Sequence, residues 1–194
     1  VTLWLGPAVF PAILDSCVLY PYELRCLLLE AAQEGIYRVH WSQKILDDTV
    51  RNLVEDGRID PSKATRLCSV MAAAFPEARV DPPPELDIGL SCDPGDRHVL
   101  AAAVTAKAEV IVTHNIRHFP PESTDPLGIQ ALTPDQFLCN LLDLADAAIH
   151  GCLRQMALQQ RSPKRTLEVL LRILSRDAPI FSSRCLEFLT STPT

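Results

Sequence analysis

The chain has 194 residues, is 47% hydrophobic and 22% charged, and carries a formal net charge of −6. Such a composition can bury a real core and is not that of a disordered chain; the length suits one full domain with a small appendage, or one long domain. No apolar run reaches the ~18 residues of a membrane span, and the acidity is not that of a general nucleic-acid coat protein, although carboxylates gathered around divalent cations also push net charge down.

The first ten residues, VTLWLGPAVF, have no positively charged stretch and no clear cleavage site, so they are not read as a signal peptide. A strand is expected in AVFPAILD, ending on Asp15. A helix follows from Tyr22 to about Glu34, where Gly35 stops it. IYRVHW is a second short strand, and Ser42 then caps a helix that runs to about Asp56 and ends at Gly57. Asp60-Pro61 opens a third helix through Ala74. ARV is a short strand, and the proline-rich VDPPPELD is a surface loop.

Asp93-Pro94-Gly95-Asp96 opens a helix to about Lys107, AEVIVTHN is the clearest strand, and GIQALT is the last one. This alternation implies a parallel sheet covered on both faces. After Thr133 the pattern is purely helical: a long helix from Pro134, broken around Gly151; a helix in SPKRTLEVLLRIL with Ser162 as N-cap and Pro163 at its first position; and a short amphipathic APIFSSRCLEFL. The boundary falls between residues 135 and 145. Seven cysteines are scattered without a CxxC pair, which argues against a disulfide framework or a zinc ribbon and for small core residues in a reducing cytosol.

In open parallel sheets, ligands collect beyond the carboxyl ends of the strands. Asp15 sits there, as do Thr113, His114 and Asn115. Asp93 and Asp96 open the preceding helix. The plain reading of Asp93 is an N-cap with Pro94 at N1 and Asp96 at N3. Asp96 fits that reading less well, because Val99, Leu100, Ala103 and Val104 lie within about 80° of its direction on a helical wheel. An inward carboxylate costs several kcal/mol unless it is paired or bound to a cation. Asp47 and Asp48 flank the apolar arc of their helix on opposite edges, and periodicity does not choose between them. Converging carboxylates call for a hard divalent cation, which can polarise a phosphodiester and activate water. No Gly-rich phosphate loop and no GxSxG elbow is present to support other chemistry.

The segments AILDSCVLYP, VHWSQKILDDTVRNL, DPGDRHVLAAAVTAKAEVIVTHNIRHFP and ALTPDQFL together resemble the PIN domain, most closely the VapC-like toxins of bacterial toxin–antitoxin pairs. The resemblance spans about residues 10 to 138 and implies a three-layer α/β/α fold with a central parallel sheet, followed by a helical extension over 139–194. It implies a metal-dependent endoribonuclease, with Asp15, Asp48 and Asp96 as acids, Asp93 as an accessory metal ligand, and Asn115 in the fourth, often acidic, place. Mg²⁺ or Mn²⁺ is the implied cofactor. Asn115 and His118 depart from the family pattern, as does Cys17 where an Asn is frequent. The resemblance further implies a cognate antitoxin, a homodimer, an RNA substrate, commonly tRNA, and a cytoplasmic location away from membranes. Ser16, Arg97 and Arg117 lie beside the implied cleft and are candidate substrate contacts.

From Arg154 to Arg176, six basic residues stand against one acid, Glu168: a solvated helix face, or a phosphate-binding stretch. Two rival readings stand beside the nuclease. One is a catalytically weak or inactive module that keeps RNA or antitoxin binding after losing the fourth acid. The other is a DNA-directed nuclease.

Overall fold

A computed structural model describes residues 9–88, 91–159 and 166–191. The first strand, β1 (Pro11–Leu14), is fully buried, and Asp15 follows it directly. Two helices come next, a one-turn α1 (Ser16–Leu19) and α2 (Tyr22–Gln33), then β2 (Arg38–Ser42). The helix α3 (Gln43–Glu55) is capped as expected: Ser42 Oγ accepts from Ile45 N at 3.3 Å. Asp60 Oδ1 does the same for Lys63 N at 3.0 Å at the start of α4 (Pro61–Ala74). β3 (Arg79–Val80), α5 (Pro84–Ile88), α6 (Arg97–Ala106) and β4 (Val110–Val112) follow. After β4 come α7 (Pro121–Thr124), β5 (Gln130–Leu132), α8 (Pro134–Gln159), α9 (Leu167–Leu174) and α10 (Pro179–Ser191).

All strands are parallel, in the order β3-β2-β1-β4-β5. β1 therefore lies between β2 and β4, with Ile13 opposite both His40 and Ile111. The chain winds outward from β1 to β3, then crosses back over the sheet to β4. Right-handed crossovers place the connecting helices of the two halves on opposite faces. α6 covers β1, β2 and β4, while α2 touches β2 and packs against α8 and α9. The point where the winding reverses, at the carboxyl ends of β1 and β4, is where such sheets form ligand crevices.

Four sequence expectations need correction. VDPPPELD is not wholly loop: Pro84 starts the short helix α5, where a proline at the first helical position sacrifices no needed N–H. α8 breaks at Ala145 (φ −146°, ψ 54°), while Gly151 continues the helix. Before the break, Asp143 pairs with Arg184 of α10; after it, Asp146 lies 3.4 Å from His150, one turn on in the same helix. α9 begins at Leu167 under a Thr166 cap, whose Oγ1 accepts from Val169 N at 3.3 Å. The Ser162 cap and Pro163, with Arg161, Lys164 and Arg165 of the basic stretch, lie outside the described residues, as do residues 1–8. Fourth, Asp96 and not Asp93 is the N-cap residue of α6.

The junction after β5 is a capping box. Thr133 Oγ1 accepts from Gln136 N at 3.2 Å, and Gln136 Oε1 accepts from Thr133 N at 3.0 Å. Asp135 then reaches the last helix and accepts from Ile180 N (3.1 Å) and Phe181 N (2.8 Å). Among the described residues, no helix is long and apolar enough to cross a membrane.

Candidate active site

Asp15 leaves β1 with its N–H on Val112 O at 3.1 Å, so its backbone still belongs to the sheet. Its side chain is 2% exposed and fully engaged. Oδ1 accepts from Ser16 N at 2.6 Å and from Ser16 Oγ at 3.2 Å. Oδ2 accepts from Thr113 Oγ1 at 2.6 Å and from Cys17 Sγ at 3.2 Å. Asp15 thus caps the one-turn α1 and also sits at the β1/β4 crevice; the two roles do not compete. Burial, then the neighbouring Asp15 carboxylate, pushes the Cys17 thiol up to about 12, so Cys17 remains a donor. Cys17 Sγ in turn receives His114 N at 3.2 Å, and Thr113 Oγ1 receives Asn115 N at 3.0 Å. The turn after β4 is thereby fastened to the first acid. Among the described residues, the Asn115 side chain makes no hydrogen bond.

The structure distinguishes the two acids of α3. Asp47 is exposed and accepts from Gln43 Nε2 at 2.8 Å, while Asp48 is buried. Asp48 Oδ1 is met by Lys44 Nζ and by Arg51 NH1, each at 2.7 Å. His98 Nε2 stands 3.3 Å from Asp48 Oδ2, yet it is buried and not aligned for a hydrogen bond. We therefore treat His98 as an electrostatic neighbour of Asp48 and not as its donor.

Asp96 occupies the N-cap position of α6, but its side chain makes no capping bond. Asp93 takes the turn instead, accepting from Gly95 N at 2.9 Å. The Asp96 carboxylate is left free to meet His118, whose Nδ1 lies 2.5 Å from Oδ2. Arg117 Nε donates to His118 Nε2 at 3.3 Å. That assigns the proton of a neutral His118 to Nδ1, donating to Asp96. The neighbouring Arg97 has a buried Nε with no partner.

Ligating atoms of Asp93, Asp96 and His118 all lie within 4.8 Å of one another, the sole set of three found among the described residues. Asp15 and Asp48 are not members of that set. Each is tied to it through neighbours: Asp15 through the turn that carries Asn115, Arg117 and His118, and Asp48 through His98, two residues beyond Asp96. Of the residues singled out from the sequence, Asp15 lies at the carboxyl end of β1, Asn115 in the turn after β4, Asp93 and Asp96 in the turn that opens α6, and Asp48 in the second turn of α3. Sequence reasoning undervalued His118, whose ring nitrogen lies within 4.8 Å of carboxylate oxygens of both Asp93 and Asp96. It also missed Thr113 as the clamp on Asp15, and Lys44 and Arg51 as the cations on Asp48. The (i,i+4) and (i,i+3) spacing of those two cations was the available signal.

A family model described as PIN domain matches residues 11–117, more than half of the chain. The chain belongs to the PIN domain family. A second model, described as VapC50 C-terminal domain, matches residues 134–187. Over 89 residues the chain is 44% identical to Putative ribonuclease VapC50 of Mycobacterium tuberculosis, covering 46% of this chain and 53% of that protein. The match thus spans about half the length of that relative. No solved structure matches the chain. The PIN resemblance drawn from four motifs is borne out, together with its VapC-like character and the parallel five-stranded sheet flanked by helices. In this PIN domain the second model begins at Pro134, the first residue of α8, and α8 runs without interruption through residue 139.

Proposed function

We propose that this PIN domain is a metal-dependent endoribonuclease of toxin type. Its nuclease unit spans residues 10–138, and residues 139–194 form a helical extension. The observation that carries the reading is the Asp93–Asp96–His118 set at the switch point of the sheet, beside two buried acids. Asp96 supports it most directly, since its side chain is spared from capping although it holds the capping position.

The donor set fits a divalent cation. Two carboxylates suit Mg²⁺ or Mn²⁺, and the imidazole tilts the choice toward Mn²⁺, because Mg²⁺ favours oxygen ligands alone. Asp93 and Asp96 would hold the ion together with His118, whose Nδ1 would give up its proton and its contact with Asp96 to offer a lone pair; Asp15 and Asp48 are further acids of the same edge. When bound, it would polarise a phosphodiester and acidify a water for in-line attack. The chain's own groups do the rest. Thr113, Ser16 and Cys17 fix the Asp15 carboxylate in one orientation. Arg117, exposed beside His118, and Arg97, with its unmatched Nε, are placed to meet phosphate oxygens. Asn115 offers an unpaired amide at the fourth position. RNA, with tRNA as a leading substrate, a cognate antitoxin and a homodimer complete the proposal on the strength of the VapC likeness.

One observation favours the rival reading of a binding module with weak or no turnover. Lys44 and Arg51 already neutralise Asp48 without any ion. The deciding experiment incubates the purified chain with labelled total tRNA, a single-stranded RNA and a DNA of matching sequence, in millimolar Mn²⁺ or Mg²⁺ or with a chelator. The nuclease reading expects RNA cleavage that the chelator abolishes and that Asp96→Asn lowers by at least about 100-fold. RNA retention without cleavage in either metal overturns it in favour of the binding module, and preferential cutting of the DNA overturns the RNA assignment.

A further inference from the structure

Beside the acidic edge lies a cavity of about 500 Å³, open to solvent. It falls within the roughly 300–1,000 Å³ of small-ligand pockets. Its walls come from the start of α3, the end of β3 with the loop after it, and the turn that opens α6. Lys44 and His98 line it, and these same two residues flank Asp48. The cavity is therefore the immediate neighbour of the proposed cutting site.

We propose that this cavity is a specificity subsite that takes one unpaired, amino-bearing nucleobase of the RNA next to the scissile phosphate; the inference rests on the nuclease reading. Val80, Pro82 and Pro84 supply flat apolar surface against which a base can lie. Two of the lining side chains, Gln43 and Asp81, offer open acceptors. Gln43 uses its Nε2 on Asp47, which leaves Oε1 open. Asp81 Oδ1 accepts from Arg79 Nε and NH2, at 3.0 and 2.9 Å, which leaves Oδ2 open. Acceptors of this kind match the exocyclic amine of adenine, cytosine or guanine and reject the O4 of uracil, because an acceptor facing an acceptor leaves both unsatisfied. In a duplex the amine is already paired, so an unpaired nucleotide is required. Lys44 supplies positive charge at the rim for the adjoining phosphate.

The test uses the full chain, in diamagnetic Mg²⁺ for binding and in Mn²⁺ for cleavage, with adenosine 5′-monophosphate and uridine 5′-monophosphate as probes. Backbone amide shifts at Gln43, Lys44 and Gly95 are followed by NMR, and cut sites are mapped on a randomised RNA pool. Adenosine monophosphate is expected to move those amides with at least fivefold lower Kd than the uridine probe. Gln43→Ala, at an exposed position, is expected to reduce that discrimination below twofold. Val80→Trp, which fills the floor, is expected to erase binding and the base preference of the cuts. The inference is overturned if neither nucleotide moves those amides, if the uridine probe binds equally well, or if Gln43→Ala keeps the base preference unchanged. Cutting by wild type with an identical base profile in both variants defeats the subsite and leaves the nuclease intact. Discriminating nucleotide binding by a chain that cuts no RNA supports the subsite and defeats the nuclease reading.

Discussion

Asp177 Oδ1 lies 3.3 Å from His114 Nε2, which brings the loop between α9 and α10 onto the turn that follows β4. His114 N rests on Cys17 Sγ, and Cys17 Sγ rests on the Asp15 carboxylate. A short chain of contacts therefore links the helical extension to the first acid. Both partners are partly open to solvent, so the pair itself contributes little to stability, about 0.2–1 kcal/mol. Asp177→Asn is accordingly expected to leave the urea midpoint nearly unchanged while lowering the rate of RNA cleavage measurably. Urea melts and single-turnover kinetics on the same preparation check this, and an unaltered rate would show that the extension does not act on the site.

His118 brings a nitrogen donor to a set that otherwise offers only oxygen. Replacing it by a carboxylate should change which ion serves best. His118→Asp is expected to make Mg²⁺ a better activator relative to Mn²⁺, since the set becomes all-oxygen. His118→Ala is expected to raise the Mn²⁺ concentration needed for half-maximal cleavage by about 10-fold or more. Titrating each ion against cleavage rate for the three proteins reads this directly.

Thr113 is fully buried, and its hydroxyl is on Asp15 Oδ2 at 2.6 Å. Thr113→Val keeps the shape and removes the donor, leaving a buried carboxylate oxygen with only the Cys17 thiol. The cost is expected at about 1–3 kcal/mol, the usual penalty for orphaning a buried polar group. Equilibrium urea denaturation measures it, and Thr113→Ser is expected to restore most of the loss.

Burial pushes the Cys185 thiol up to about 12, above its ordinary value of 9.0. The neutral thiol is the form the fold favours. Its contribution is present in full below pH 9 and is lost as the pH climbs toward 12. Thermal melts between pH 8 and pH 11 are expected to fall more steeply for the wild type than for Cys185→Ala. Cys185 should also resist alkylation at pH 8 in the folded chain and react readily in urea.

Much of the fold was legible because its signals are local. Ser42, Asp60 and Gly57 mark helix ends by chemistry confined to a few residues, and all three act as expected. The alternation of strand and helix was enough to indicate the parallel sheet. The one-turn α1 was not legible, since four residues carry no period. The break at Ala145 also had no sequence signal: Gly151 offered the obvious weak point, yet the helix runs through it. In the site, Asp48 could not be told from Asp47 by periodicity, because both flank the apolar arc; burial separates them. Asp96 was singled out by its direction, but the capping role was misassigned to Asp93, because an Asx turn through Gly95 uses the same residue type. His118 looked like a loss of charge in one dimension and becomes a donor beside Asp96 only in three.

The central place of β1 has a consequence for how the molecule comes into being. Its neighbours are drawn from residues 38–42 and 110–112, so the first acid has no fixed surroundings until the chain has been made at least as far as Thr113. Parallel pairing over such separations closes long loops before it gains contacts, which slows folding. The crevice that holds Asp15 therefore cannot exist in a growing chain before both neighbouring segments have been made.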